Sequence, residues 1–311
     1  MFDAWKGAIA SMNGAMQHVA TSLPGARAAA YLGAPGTEAN LRALAISTGV
    51  FLGIHLLFSL PPATAFFKWY FGRNPDMRRH KGRLGEAVAI APCRIAGFVH
   101  HVHQIVLSAA ILTGAHASVI STNPFMYATE LTRTNLAIST GYFLYDMGVV
   151  AYHYKIEGPA FLIHSLACSS SFALMLLYDR WHYWASGFLL YEVSSPIIVA
   201  RWFMKEGGVH TEYGAAGRVL YALNGACALV AFLGCRIVWG TYFTLQLFDK
   251  LGMAERGEVV NDAPSWAGPF GRVSTGTLLA LNFFWTYKLV VHTSKPARKS
   301  GSLEANGKKQ S

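Results

Sequence analysis

Seven stretches of about twenty mostly apolar residues dominate the chain and limit what it can fold into. A helix of that length and composition is long enough to cross the hydrocarbon core of a membrane. The stretches lie at 43–60, 95–114, 135–152, 160–178, 183–200, 219–248 and 273–292. Hydrophobic residues make up 53% of the chain and charged residues only 14%, so little polar surface is left to cover such helices in water. We therefore predict an all-α, polytopic membrane protein with about seven transmembrane helices.

The apolar stretches and the basic segments between them divide the chain into five parts. We predict an amphipathic interfacial segment at 1–42, a first transmembrane helix with a basic cytosolic loop at 43–94, a core bundle at 95–248, a loop and last transmembrane helix at 249–292, and a disordered basic tail at 293–311.

The chain carries 26 Lys and Arg against 16 Asp and Glu, a net charge of +10. Nucleic acid is excluded as a partner, because the sequence shows no zinc spacing, RNA-binding signature or recognition-helix pattern. Sorted by loop, sixteen of the basic residues fall on one side of the seven predicted helices and eight on the other. Since basic loops stay in the cytosol, the richer side and the C-terminus are predicted to be cytosolic.

The two ends of the chain bear on its location. Lys308 and Lys309 are followed by only two residues in this sequence. This pattern resembles the dilysine retrieval signal of endoplasmic-reticulum membrane proteins. An apolar stripe of helical spacing runs through the first 22 residues and predicts a helix lying in the membrane interface. The alternative for that segment is a mitochondrial presequence, so a mitochondrial membrane is the second predicted location.

Ionisable residues inside the predicted spans are the informative positions, because each costs at least about 2.5 kcal/mol to insert. Apart from Lys288, near the end of the last span, the charged ones are Asp146, Glu192 and Arg236. Such groups normally face a cavity or a partner, and Arg236 is the natural cation to neutralise one of the two carboxylates. In this interpretation the charged side chains have a purely structural role, because the contacts between them determine how the helices pack.

The chemical alternative places His164 beside the carboxylates Glu192 and Asp146. A neutral imidazole next to a carboxylate can act as a general base or as an acyl acceptor. His164 would then be the base or acceptor, Glu192 would orient it, and Asp146 would polarise an amine or a water. The second span also carries three histidines, of which His100 and His103 share a helix face while His101 is predicted to point away. No metal site and no cofactor are predicted, because the spacing fits neither histidine boxes nor paired Glu-x-x-His helices.

From about Arg94 to Phe248 the chain resembles the TLC-domain family, which includes ceramide synthases, translocating-chain-associating membrane proteins and TLC-domain-containing proteins. The resemblance is closest to the TLC-domain-containing branch. It is carried by five motifs in the same order: Arg94 six residues before His100, Ile138 to Tyr142 leading into Tyr145-Asp146, Phe161 to His164, Glu192 to Pro196 followed by Arg201-Trp202, and Asn224-Gly225 followed by Arg236 and Gly240 to Tyr242.

The resemblance implies a barrel-like bundle around a lipid-accessible cavity. In ceramide synthases, adjacent histidines and downstream acids are implicated in moving an acyl group from acyl-CoA to a sphingoid base. This chain has Ser165 where the second histidine would stand and Ser195 where a second acid would stand. We expect the cavity or its polar network to include these residues: Arg94, His100, Ser165, Ser195, Asn224 and Arg236.

Three functions follow as alternatives. The first is handling of long-chain membrane lipids by binding, sensing or homeostasis. The second is a lipid N-acyltransferase of the ceramide-synthase type, for which acyl-CoA would be a substrate rather than a cofactor. The third is an accessory subunit with membrane-protein partners.

Overall fold

The computed structural model describes residues 37–113 and 123–293, with side chains up to residue 290. Every regular element in these ranges is helical. The α-helices are α1 (Thr37–Ser59), α2 (Pro61–Gly72), α3 (Pro75–Arg79), α4 (Lys81–Thr113), α5 (Glu130–Tyr152), α6 (Tyr154–Glu157), α7 (Pro159–Tyr178), α8 (His182–Leu189), α9 (Ser195–Glu206), α10 (Val209–Glu212), α11 (Gly214–Phe232), α12 (Gly240–Glu255) and α13 (Ala267–Thr293). A 3₁₀ segment (Leu190–Ser194) joins α8 to α9, and a π-helical segment (Leu233–Trp239) joins α11 to α12. The predicted N-terminal interfacial helix and basic tail lie outside the described residues.

Four helical stretches of the described chain are long and apolar enough to cross a membrane. They are Glu38–Ser59, Lys81–Thr113, Pro159–Tyr178 and the continuous Gly214–Glu255. The predicted all-α membrane class is thereby confirmed, whereas the count of seven spans is not. Helix α5 is 23 residues long, but it includes Asp146 and several Ser, Thr and Asn side chains that lower its hydropathy. The stretch predicted at 183–200 is not one helix, because the 3₁₀ segment interrupts it.

The bundle is apolar on the outside and polar at several of its helix interfaces. Large apolar side chains on outer faces are strongly exposed: Leu56 is 56% exposed, Val106 60%, Leu166 57%, Val230 72% and Val273 70%. The buried set, in contrast, includes many small polar side chains, among them Ser47, Ser108, Ser139, Thr140, Ser165 and Ser169. Contiguous exposed apolar surface marks contact with lipid, and small polar residues are typical of helix interfaces inside membranes.

Helix α5 is the centre of the packing, because α1, α4 and α7 all contact it. Gly141 allows the closest approach. A Cβ built there would lie 2.3 Å from the Cβ of Ser47 and 2.7 Å from the backbone nitrogen of Thr48, both on α1. The buried ring of Phe51 on α1 then packs edge-on against Tyr142, with 5.2 Å between ring centroids. Glycine at 141 therefore sets the distance between α1 and α5.

Asp179 ties α5 to the junction of α7 and α8 at one end of the bundle. It caps α7 in the left-handed conformation, and Arg133 donates two hydrogen bonds of 2.8 Å to its carboxylate. The Nε2 atom of the fully buried His182 lies 3.2 Å from the same carboxylate, and its Nδ1 lies 3.1 Å from the Thr132 hydroxyl. Burial by itself raises the pKa of a carboxyl group, but the interactions with His182 and Arg133 outweigh it and hold the pKa of Asp179 well below its ordinary value.

The Gly141→Ala variant tests the close approach of α1 and α5. Alanine is the better helix former, but its methyl group would overlap Ser47 and the α1 backbone. We expect a loss of about 1–3 kcal/mol in unfolding free energy, measured by thermal unfolding in mild detergent. Gly148→Ala is the matched control, because a Cβ at Gly148 meets nothing within 4 Å. Equal stability of the two variants would contradict the packing argument.

The Asp179→Asn variant tests the ion pairs with a pH profile. Because the folded-state pKa of Asp179 is depressed, the carboxylate stabilises the fold above its unfolded pKa of about 3.9 and loses this effect as pH falls through the folded value. We expect the variant to melt at a lower temperature than the wild type at pH 7, with the gap narrowing below about pH 4. Asp249→Asn removes an exposed carboxylate and should follow the wild-type profile. A difference in melting temperature between variant and wild type that does not change with pH would show that the charge of Asp179 is not the stabilising feature.

Candidate functional site

A cavity of about 430 Å³ lies among α4, α5, α7, α9, α11 and α13. Ligand pockets in proteins usually measure about 300–1,000 Å³. Its polar wall consists of Cys93, Arg94, His101, Tyr142, Asp146, Glu157, His164, Glu192, Ser195, Arg201, Arg236 and Lys288. Apolar side chains complete it, including Phe161, Ile198, Phe232, Trp285 and Leu289. The cavity reaches the protein surface where it is lined by the exposed side chains of Phe161, Ile198 and Lys288.

A close polar contact in the interior of the cavity joins Glu192 to His101. The Oε2 atom of Glu192 lies 2.7 Å from Nδ1 of His101, although neither atom meets the angles of a hydrogen bond. Glu192 is only 6% exposed and sits within the 3₁₀ segment, immediately before α9. Pro196, in the first turn of α9, lacks the N–H that would continue helical bonding backwards, so the carboxylate falls where the helix deforms.

Arg236 faces Glu192 from the other deformed segment, the π-helical turn. Its guanidinium donates to Ser194 Oγ at 3.0 Å, to Ser195 Oγ at 2.9 Å and to Asn282 Oδ1 at 3.4 Å. Within the described residues no carboxylate oxygen lies within 4 Å of it, so the predicted ion pair between Arg236 and an acid is wrong as a direct contact. The physical reason is that the π turn places the guanidinium against the hydroxyl groups at the start of α9. Single π turns inside α-helices often mark functional sites.

The other predicted carboxylate, Asp146, also lines the cavity, and no basic nitrogen of the described chain lies within 4 Å of its oxygens. Arg94 lies nearby, but its guanidinium contacts Glu157 instead, with 2.7 Å between Nη2 of Arg94 and Oε1 of Glu157. Arg94 therefore connects α4 to the short α6 and leaves Asp146 directed into the cavity.

The other predicted catalytic residue, His164, lines the cavity from α7. Its ring lies edge-on to Trp285 at 5.3 Å between centroids, and both of its ring nitrogens lie near the Cys168 sulfur, at 3.8 and 3.9 Å. It contacts no carboxylate within 4 Å in the part of the chain that the structure describes. His164, Glu192 and Asp146 thus line one cavity, but the imidazole beside Glu192 belongs to His101.

Three predicted polar-network residues lie outside the cavity. His100 is fully buried and stacks on Tyr142, with 3.8 Å between centroids, and neither of its ring nitrogens has a hydrogen-bond partner within the described residues. Ser165 donates to the Leu162 carbonyl of its own helix at 3.2 Å. Asn224 donates to the Ile197 carbonyl at 3.2 Å, which joins α11 to α9. These three side chains serve helix packing, whereas Arg94, Ser195 and Arg236 line the cavity.

His101 was predicted to point away from the face shared by His100 and His103, but it lines the cavity. The spacing shows which histidines share a face of α4, and it cannot show which face the other helices cover. Gly97, one turn earlier on α4, is the sequence feature that could have indicated that His101 lies at a helix contact. A Cβ there would lie 3.0 Å from the Tyr142 hydroxyl and 3.2 Å from Nε2 of His101, so the glycine leaves room for the His101 ring.

The site has the groups for proton transfer and for holding an anion. A carboxylate beside an imidazole is an acid–base pair, and a guanidinium held by neutral hydroxyl and amide groups retains its charge for a further partner. No group of three or more His, Cys, Asp or Glu side chains within the described ranges is placed to hold a metal ion.

Comparison with known proteins supports the predicted family. The family model described as "TLC domain" matches residues 93–291. TLC domain-containing protein 4-B of Danio rerio is 24% identical over 80% of this chain and 88% of its own length. TLC domain-containing protein 4-A of Xenopus laevis is 27% identical over 78% and 88%. Topoisomerase I damage affected protein 4 of Saccharomyces cerevisiae is 24% identical over 64% and 67%.

No solved structure matches the chain. The match of the family model covers well over half of the sequence and spans the whole cavity, from Cys93 on α4 to Leu289 on α13. On these grounds, the chain belongs to the TLC-domain family, in the branch of the TLC-domain-containing proteins.

Proposed function

We propose that the protein binds a long-chain membrane lipid in the cavity and so takes part in membrane lipid handling. The single observation that carries this proposal is the amphipathic wall of the cavity. This wall combines the apolar side chains of Phe161, Ile198, Phe232, Trp285 and Leu289 with acidic, imidazole and guanidinium groups. An apolar pocket with a few convergent polar groups is the usual form of a ligand site, and a lipid has both kinds of surface.

Access from the bilayer supports the same proposal. Phe161 and Ile198 are each 38% exposed and lie on two different helices, α7 and α9, at the edge of the cavity. An acyl chain entering between them would exchange one apolar environment for another, so the entry itself costs little. The polar groups inside would then determine which headgroup is retained.

The predicted orientation and location form part of this proposal. With the sixteen-base side in the cytosol, the Arg94–Glu157 end of the cavity lies toward the cytosolic leaflet. The endoplasmic reticulum is the proposed location, and a mitochondrial membrane is the alternative. Seven spans in a barrel-like bundle would place both ends of each long helix at a membrane surface.

Lipid analysis of protein purified in mild detergent tests the binding proposal, with Gly97→Leu as the blocking variant. A leucine side chain at 97 would project into the space between Tyr142 and His101 and occupy part of the cavity. We expect wild-type protein to retain a lipid that survives size-exclusion chromatography, and the variant to retain at least about tenfold less.

Gly148→Leu is the matched control, because Gly148 is exposed on α5 and faces open space. It should retain lipid like the wild type. Unchanged lipid retention by Gly97→Leu, or wild-type protein that is stable without any bound lipid, would overturn the proposal.

The contact between His101 and Glu192 favours a second candidate function, transfer of an acyl group from acyl-CoA to a lipid amine. His101 would take the proton of the amine as its nitrogen attacks the thioester carbonyl. The new C–N bond forms, the C–S bond breaks, and the proton passes to the leaving thiolate. Glu192 would orient and stabilise the protonated imidazole, and Arg236 would face the developing oxyanion.

Activity assays separate the two histidines that line the cavity. Purified protein is incubated with acyl-CoA and a sphingoid base, and the amide product is measured by mass spectrometry. We expect His101→Ala to lower the rate by about 10²–10⁴-fold and His164→Ala to lower it less, because only His101 contacts the carboxylate. His164→Gln serves as a conservative control. The absence of product with several acyl chain lengths would remove the enzymatic candidate and leave the lipid-binding proposal intact.

A further inference from the structure

We propose that the cavity selects lipids with an anionic phosphate headgroup, which a rim formed by Arg94, Arg201 and Lys288 binds at one end. This inference rests on the proposed lipid-binding function and specifies the class of lipid. All three side chains line the cavity, and each comes from a different helix: α4, α9 and α13.

Contacts along the cavity wall, together with positions along the helices, place the three cations toward the same end. Arg94 contacts Glu157 at 2.7 Å, immediately before α7 begins, and its guanidinium lies 5.9 Å from the ring of Trp202, the residue after Arg201. The opposite wall is fixed by Phe161, near the start of α7, whose ring lies 5.3 Å from that of Trp285. Lys288 follows Trp285 by about one helical turn, in the direction of the α13 C-terminus.

The acid–base pair lies deeper than this rim. Arg201 follows Glu192 by nine residues, which is about 13 Å along a helix. His101 likewise follows Arg94 by seven residues on α4, about 10 Å. A ligand whose phosphate occupies the rim would therefore have the Glu192–His101 contact below its headgroup, farther inside the cavity.

The rim carries more positive charge than its own acids neutralise. Glu157 is engaged by Arg94, and neither Arg201 nor Lys288 has a carboxylate oxygen within 4 Å in the described chain. Arg201 is held in place by donating to the Tyr221 carbonyl at 2.9 Å and by lying over the Tyr221 ring at 4.0 Å. The position of the Arg201 guanidinium depends on Gly225, because a Cβ at residue 225 would lie 2.5 Å from its Nη1 atom.

Such a rim suits a phosphate better than a neutral or zwitterionic head. A phosphate monoester carries a charge of about −1.5 to −2 at neutral pH and accepts several charge-assisted hydrogen bonds. Arginine and lysine both bind phosphate, arginine as a planar fork and lysine as a point charge. A choline head would bring its quaternary ammonium close to the same cations. The source of the phosphate is a lipid rather than a free phosphate, because the rim continues into an apolar wall that includes Phe161 and Leu289.

The experiment compares four probes on the full-length protein in neutral detergent, with binding measured by thermal shift and native mass spectrometry. The probes are 1-oleoyl lysophosphatidic acid, 1-oleoyl lysophosphatidylcholine, 1-monooleoylglycerol and glycerol 3-phosphate. We expect the first to bind at least about tenfold more tightly than the two other lipids and glycerol 3-phosphate to bind least. Binding of the first probe should also weaken as salt is raised.

Variants at the rim link the preference to the proposed residues. Arg201→Gln and Lys288→Gln should each weaken binding of the phosphate lipid by about tenfold and leave monooleoylglycerol binding unchanged. Arg201→Lys keeps the charge and should restore part of the preference, which guards against a merely misfolded Arg201→Gln. Arg218→Gln removes an exposed base that does not line the cavity and should behave like the wild type.

The outcomes separate this inference from the function on which it rests. Equal binding of all three lipids would overturn the headgroup selectivity and leave lipid binding standing. Binding of none of them would remove both. Glycerol 3-phosphate binding as tightly as the phosphate lipid would reassign the rim to soluble phosphates, and an undiminished preference in Lys288→Gln and Arg201→Gln would show that other groups select the head.

Discussion

The structure depends on keeping charged side chains out of contact with hydrocarbon. Glu192 and Arg236 are both more than nine-tenths buried in helices that the surrounding residues make strongly apolar. Removing such groups from water costs several kcal/mol each unless polar partners replace the lost hydration. The chain provides those partners by deforming two helices. The 3₁₀ segment brings Glu192 to His101, and the π turn brings Arg236 to Ser194, Ser195 and Asn282.

The two buried charges also form part of the polar wall of the cavity. Arg236 and Glu192 both line it, and each has its direct polar contacts with other groups. Their separate partners keep the two charges apart, and the bundle encloses a volume of about 430 Å³ beside them. Family membership and the apolar outer surface place this volume within a membrane protein, where lipid is the most abundant molecule to fill it.

At two positions where the chain departs from the ceramide-synthase pattern, the structure shows what the replacing serine contacts. Ser165, at the position of the second histidine, is fully buried and hydrogen-bonded within α7, so this site has no adjacent histidine pair. Ser195, at the position of a second acid, accepts a hydrogen bond from Arg236. The imidazole near the remaining acid comes from α4. The cavity therefore retains an acid–base pair, but its parts come from different helices than the resemblance implied.

The sequence by itself determined the helical membrane class, the family, and the small set of residues on which a function can be argued. Apolar stretches of span length have few alternative folds, and Asp146, Glu192 and Arg236 stand out because charge in such stretches is costly. It could not determine which face of α4 meets the cavity, because that helix carries histidines on more than one face and the spacing does not show which face the other helices cover. Only the tertiary structure put His101 beside Glu192, separated Arg236 from the acids, and removed His100, Ser165 and Asn224 from the cavity. Those outcomes depend on local helix deformations and on close contacts such as that between Gly97 and Tyr142, which arise from packing between segments far apart in the chain.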